Sequence, residues 1–121
     1  MQNKDIQIVF SNANLLCSVE SVPFKIVRRV KDLGKIAESV YLKLKEITEL
    51  GAEKNTPEEE IEAERKEFLE KEVEVQFDRC SLQWFDDIPN VSIPYTMGDK
   101  VERFANAHGI IDFLIEKGFI V

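Results

Sequence analysis

A heptad repeat of apolar residues in the first half of the chain constrains the fold more than any other feature of the sequence. Its members are spaced alternately four and three residues apart, and they are Ile26, Val30, Leu33, Ala37, Val40, Leu44 and Ile47. That spacing keeps apolar side chains on one side of an α-helix over several turns. We therefore predict a long helix over residues 24–50, with Pro23 in its first turn and Gly51 at its C-terminal cap. Gly34, inside this helix, would permit a close approach by another element.

A second helix is predicted by a start signal. Thr56 stands at an N-cap position, Pro57 at the first helical position and Glu59 three residues after the cap, which together form a capping box. The helix should run to about residue 71. Because the connection is short, the two helices are expected to form an antiparallel hairpin over residues 24–72.

Charge is segregated between the two predicted helices. The chain has 16 basic and 23 acidic side chains and a formal net charge of −7. Residues 25–45 hold seven basic and two acidic side chains, whereas residues 58–74 hold nine acidic and three basic ones. Paired helices of opposite charge would set the hairpin register. The acidic balance argues against a protein that binds nucleic acid or an anionic membrane surface by neutralising phosphates.

Alternation with a period of two predicts a small β-sheet. Ile6, Ile8 and Phe10 indicate a strand over residues 5–10, and a second alternating region covers residues 73–85. In the second region, continuation of the acidic helix stays open as an alternative, because no stop signal precedes it.

The end of the chain is expected to be helical. Proline, asparagine and aspartate residues mark a loop over residues 86–96. Thr96 would cap a helix over residues 98–117, and Gly118 would end it. The predicted fold class is therefore α+β, in one domain over residues 1–121. A long antiparallel helical hairpin packs with a small β-sheet and a C-terminal helix.

Residues that could carry chemistry are few. His108 is the single histidine, and Cys17 and Cys80 stand among apolar residues, which is typical of buried, reduced thiols. There is no glycine-rich phosphate loop and no zinc-ligand spacing. We expect no enzyme activity, no catalytic residue and no cofactor or metal. With no secretion signal and no apolar run long enough for a membrane span, we expect a cytoplasmic protein.

The apolar stripe of the long helix is more extensive than the thin apolar face of the second helix can cover. We therefore expect an interface with a protein partner of unknown identity, or a homodimer. The candidate interface residues are Val30, Leu33, Ala37, Val40, Leu44 and Phe119.

The order of the segments also resembles that of a protein family. A helix with a heptad repeat leads to a glutamate-rich helix that ends in FLEKEVEVQFDRCSLQWFDDIPNV, and the chain closes with LIEKGFIV. This layout is similar to that of small uncharacterised proteins encoded by phages and prophages, often in gene clusters near structural genes. The resemblance implies a helical hairpin, an extended segment and a terminal helix, and it implies no site residues.

Three functions follow as hypotheses. The first is a non-catalytic interaction or assembly protein. The second is an acidic inhibitor that mimics nucleic acid through Glu58, Glu59, Glu62 and Glu67 and blocks a nuclease or a DNA-binding protein. The third is a small ligand-binding domain or enzyme with a site near Trp84 and His108.

Overall fold

The structure is a computed structural model, and it describes all 121 residues. It contains four α-helices, a short 3₁₀ helix and a two-stranded antiparallel sheet. In chain order these are α1 (Asn3–Leu16), α2 (Phe24–Glu53), α3 (Glu58–Glu70), the 3₁₀ helix (Leu82–Phe85), β1 (Ser92–Tyr95), β2 (Arg103–Asn106) and α4 (Ala107–Glu116). The predicted α+β class, with a helical hairpin and a C-terminal helix, is confirmed. No helix combines the length and the apolar character that crossing a membrane requires.

The first element is a helix, so the strand predicted over residues 5–10 is wrong. The same segment also carries a helical spacing, because Ile6, Val9, Ala13 and Leu16 lie three and four residues apart and are all buried. In contrast, Ile8, which the strand prediction placed beside Ile6, is exposed. The alternation was therefore a coincidence of a short window, and the longer window shows a helix.

The heptad repeat of α2 is buried along its whole length, as the seam predicted. α1 packs against the first half of this seam and α3 against the second half. The contact with α1 is close at Gly34, where an added Cβ would lie 2.8 Å from Cε1 of Phe10. Gly51 does not end α2, as the sequence suggested, because the helix continues to Glu53. It instead faces Ile61 of α3, and a Cβ there would lie 2.5 Å from Cγ1 of Ile61.

α3 lies on the outside of the molecule and contains no buried residue. Its N-cap is Pro57, and no side chain caps it, so the predicted capping box at Thr56 does not form. The helix is held through half-buried Phe68 and Leu69, which pack against the core. A hydrogen bond also joins α1 to α3, because Nδ2 of Asn3 donates to the Phe68 carbonyl at 2.8 Å.

Residues 73–85 form neither a strand nor an extension of α3, so both predictions for this region are wrong. α3 ends at Glu70, and residues 73–79 have no regular secondary structure. Single bridges lie at the two ends, from Gln2 to Glu72 and from Cys80 to Ile120. These short pairings with the two chain ends are non-local, and a period-two pattern alone does not show them.

The sheet is built from residues that were predicted as loop and helix. In β1 and β2, Ser92 pairs with Asn106 and Tyr95 with Arg103. The C-terminal helix therefore begins at Ala107 and not at residue 98. Its N-cap is Asn106, whose side chain accepts a hydrogen bond from the His108 N–H.

The C-terminal stop signal is confirmed. α4 ends at Glu116, and Gly118 follows with a φ of +81°, a conformation that glycine adopts without strain.

Leu33 and Leu42 of α2 offer a direct test of this packing. Leu33 is 1% exposed and Leu42 is 53% exposed. We expect Leu33→Ala to lower the free energy of unfolding by about 2–5 kcal/mol, because it leaves a cavity between α1 and α2. Leu42→Ala, the matched control, should change it by less than about 0.5 kcal/mol. Urea denaturation followed by circular dichroism measures both, and equal effects would contradict the described core.

Candidate interaction surfaces

The six candidate interface residues lie inside the molecule. They are all buried in one hydrophobic cluster, which comprises Val30, Leu33, Ala37, Val40, Leu44 and Phe119 among its members. The surplus apolar surface of α2 is covered by α1, which the sequence interpretation had assigned to the sheet. An interaction surface must therefore be sought among other residues.

The expected charge match between the two hairpin helices is absent. No ion pair joins residues 25–45 to residues 58–74, and most ion pairs of α2 and α3 connect neighbours on the same helix. Arg65 of α3 reaches α2, but it donates to the Thr48 hydroxyl. The seven glutamates of α3 are consequently exposed and carry no partner from α2.

Three large apolar side chains are exposed in the hairpin formed by β1 and β2 and in its connecting loop, as are four others along α2. Met97 is 71% exposed, Val101 54% and Phe104 64%. Phe104 lies opposite Pro94 in the register, on the side of the hairpin that faces solvent. We call Met97, Val101 and Phe104, with Pro94, the hairpin surface. Exposed aromatic and large aliphatic side chains are enriched at sites where proteins meet.

The other side of the hairpin fixes it to the core. Ile93 is buried and its cross-strand neighbour Ala105 packs against the core cluster. The Ala107 N–H donates to the Val91 carbonyl at 2.9 Å, which joins the end of the hairpin to the start of the preceding strand. The hairpin surface is therefore carried by an anchored element and not by a free loop.

The loop that connects the strands is ordered by Asp99. Both carboxylate oxygens accept from the Arg103 guanidinium, Oδ2 from Nη2 at 2.7 Å and Oδ1 from Nη1 at 3.0 Å. Oδ1 also accepts from the Val101 N–H at 3.1 Å. The donors, Arg103 first, lower the pKa of Asp99 below its usual value. Gly98 and Lys100, with φ of +85° and +61°, form the tight turn on either side.

Trp84 belongs to a separate cationic cluster. Lys25 Nζ lies 5.0 Å and Arg29 Cζ 5.8 Å from the centroid of the indole ring. Arg29 also pairs with Asp78 at 3.1 Å. These contacts attach the 3₁₀ helix and the segment before it to α2. The indole ring of Trp84 therefore helps to hold the fold together.

His108 is engaged elsewhere. Its Nε2 lies 2.9 Å from the Ile88 carbonyl, and because a carbonyl only accepts, Nε2 carries the proton. The grooves along α2, α3 and residues 73–79 are lined by neither His108 nor Trp84. The structure thus gives these two residues different partners, cationic side chains for Trp84 and a backbone carbonyl for His108.

The two cysteines are free thiols with little reactivity. Burial raises the pKa of Cys17 to about 11 and that of Cys80 to about 12. Both are therefore protonated near neutral pH, and the protonated thiol is a poor nucleophile. No three His, Cys, Asp or Glu side chains are grouped so as to hold a metal ion.

Comparisons of the chain with protein-family models, with curated proteins and with solved structures find no match. Function must therefore be inferred from the surfaces themselves.

The hairpin surface was not predicted from the sequence because Val101 and Phe104 also fit a helical period and Pro94 was placed in a loop. A signal was present, since Gly98, Asp99 and Lys100 are turn formers between two short segments, 92–95 and 103–106. Reading them as a hairpin would have placed Phe104 opposite Pro94 and left both on a solvent-facing side.

Acidification should loosen the hairpin loop. Because the folded-state pKa of Asp99 is lowered, its pairing with Arg103 is complete above the ordinary aspartate pKa and is lost as pH falls through the folded-state value. We expect the Asp99 carboxyl to titrate below the ordinary range of an aspartate side chain in carbon-detected NMR. Asp99→Asn should speed hydrogen exchange at the Val101 amide at neutral pH, and unchanged exchange would contradict the ordering role.

Proposed function

We propose that this chain is a non-catalytic protein-interaction or assembly protein, and that it uses the hairpin surface to bind a protein partner. The observation that supports the proposal is the exposure of Met97, Val101 and Phe104 on an anchored hairpin whose loop is ordered by Asp99. A preordered surface loses little conformational entropy when a partner binds. Large apolar and aromatic side chains contribute most of the energy at such contacts.

The state of the chemically capable residues supports the non-catalytic part of the proposal. The two thiols are protonated at neutral pH because burial raises their pKa. His108 donates its Nε2 proton to a backbone carbonyl, and this contact holds the loop before β1 on α4. In these positions the groups stabilise the fold.

The cellular setting is part of the same proposal. A cytoplasmic protein with a phage or prophage origin agrees with the layout resemblance described above. The partner is then another protein of the same assembly or a second copy of this chain. The acidic surface of α3 would keep a protein with an exposed apolar patch in solution.

Photocrosslinking tests the hairpin surface. A photoreactive phenylalanine analogue in place of Phe104 should crosslink to one partner in cells that express the natural assembly. The same analogue in place of Tyr41, which is exposed on α2, is the matched control. A crosslink between two copies would identify the partner as a homodimer. Equal crosslinking at both positions, or none at Phe104, would contradict the proposal.

A second candidate function is favoured by the exposed glutamates of α3. Because none pairs with α2, the seven carboxylates outnumber the two basic side chains of α3 and give it a negative surface, a feature suited to a protein that imitates nucleic acid. The target would be a nuclease or a DNA-binding protein with a basic cleft.

Charge reversal separates the two candidates. Replacing Glu58, Glu59, Glu62 and Glu67 by lysine should abolish inhibition of a target nuclease, because attraction to its basic cleft becomes repulsion. The fold should persist, because α3 contributes no buried residue. Inhibition that survives in the quadruple variant would contradict the mimic hypothesis, whereas crosslinking at residue 104 should persist in that variant because the hairpin surface lies outside α3.

A further inference from the structure

The hydrogen bonds of the two-stranded sheet leave one side of β2 unpaired. The Ala107 N–H donates to the Val91 carbonyl at 2.9 Å, which places a hydrogen bond of the ladder at this pair. In an antiparallel sheet, hydrogen-bonded pairs alternate with pairs that are not hydrogen-bonded. Counting along the register, Pro94 and Phe104 form a pair of the second kind, as the missing N–H of proline also requires. Phe104 therefore directs its backbone N–H and C=O groups away from β1.

The two outer edges of the sheet differ in what they offer to a further strand. On β1, Pro94 turns its ring nitrogen outward and has no N–H to donate, a device that blocks pairing at a sheet edge. On β2, Phe104 and Asn106 turn their N–H groups outward, and neither donates to another backbone group. The sheet contains no third strand beside β2. β2 is therefore the edge that can accept another strand.

Two β2 strands fit each other when they pair antiparallel about Phe104. The two strands run in opposite directions, so Phe104 lies opposite Phe104 of the second copy, and the outward N–H of each donates to the C=O of the other. Glu102 lies opposite Asn106, and Arg103 opposite Ala105. No charges of like sign face each other in this register, and the central aromatic pair is of a kind that stabilises adjacent strands.

Glu102 gives the self-pair its charge complementarity. Its side chain is exposed and forms no ion pair within the chain. In the self-pair it lies opposite Asn106 of the second copy, which is the N-cap of α4. The first turn of α4 contains no acidic residue to offset the positive end of its helix dipole. Glu102 of one copy thus supplies a negative charge that α4 of the other copy lacks.

We propose that the outer edge of β2 is a self-association site, where a second copy of this chain pairs antiparallel about Phe104 and completes a four-stranded sheet across a two-fold axis. This inference rests on the proposed function, because it identifies the partner of the hairpin surface as a second copy. The pairing sets the two hairpin surfaces side by side on one sheet. A contact between two short strands buries little area, so the dimer forms in a concentration-dependent way.

Sedimentation equilibrium of backbone variants tests the self-pair. Cys80 allows a synthetic peptide of residues 80–121 to be ligated to residues 1–79 without a change of sequence, and the full chain is then refolded. N-methylphenylalanine in place of Phe104 keeps the ring but removes the outward N–H. We expect it to weaken the dimer at least about tenfold, because two symmetry-related hydrogen bonds are lost.

Ser92 provides the matched control for this variant. It lies on β1 opposite Asn106, so its N–H also points out of the sheet, but on the edge that Pro94 blocks. N-methylserine at this position should leave the dimer unchanged. A natural chain that stays monomeric at millimolar concentration, or equal effects of the two N-methyl groups, would overturn the proposal.

Isotope-filtered NMR on a mixture of labelled and unlabelled chains tests the register. Arg103 of one copy and Ala105 of the other form a pair that is not hydrogen-bonded, in which the Cα atoms are about 4.5 Å apart. Their Hα protons should therefore give an intermolecular nuclear Overhauser effect. Its absence from a sample that is dimeric by sedimentation would place the interface elsewhere and overturn the proposal.

Charge reversal tests the contact between Glu102 and α4. Glu102→Lys should weaken the dimer by about three- to tenfold, because it sets a cation beside the positive end of a helix in each copy. Glu60→Lys makes the same change of charge at an exposed position of α3 and should leave the dimer nearly unchanged. Equal weakening by both variants would reflect net charge alone and contradict the proposed register.

The failure of this proposal can be distinguished from the failure of the proposed function. If the chain stays monomeric while the photoreactive analogue at residue 104 crosslinks to a different protein, only the self-association site fails. If the chain neither dimerises nor crosslinks through residue 104, both fail. A crosslink between two copies, together with the expected contact between Arg103 and Ala105, supports both.

Discussion

The packing of the apolar side of α1 against the core is the interaction on which the rest of the structure depends. Ile6, Val9, Ala13 and Leu16 are at most 1% exposed, and α1 touches α2, α3, α4 and β1. Without it, the first half of the α2 seam would face water, and each large apolar side chain there would lose about 1.5–3 kcal/mol of burial energy. The close contact at Gly34 and Phe10 shows how tightly the two helices meet.

The parts of the fold that could be predicted from the sequence are those with a long, regular apolar spacing. The α2 seam is long enough for its period to be unambiguous, so both the helix and its buried residues follow from spacing. In α1 the period-two residues Ile6, Ile8 and Phe10 overlap the helical set, and a short window favours the wrong one. β1 and β2 depend on pairing between segments about ten residues apart, and the bridges of residues 72 and 80 depend on the chain ends. Local patterns carry no information on the bridges to the chain ends, and for β1 and β2 they offer only the turn signal at Gly98 and Asp99.

The candidate sites were hidden for a related reason. The residues expected at an interface are apolar and regularly spaced, and regular spacing is what a core also requires. Val30 and Leu33 pack inside the molecule because α1 of the same chain covers them. The proposed interaction surface comes from an irregular feature instead, namely a strand pair that exposes Phe104. The negative charge of α3 could be predicted from the sequence, but the ion pairs with α2 that were expected to neutralise it do not form.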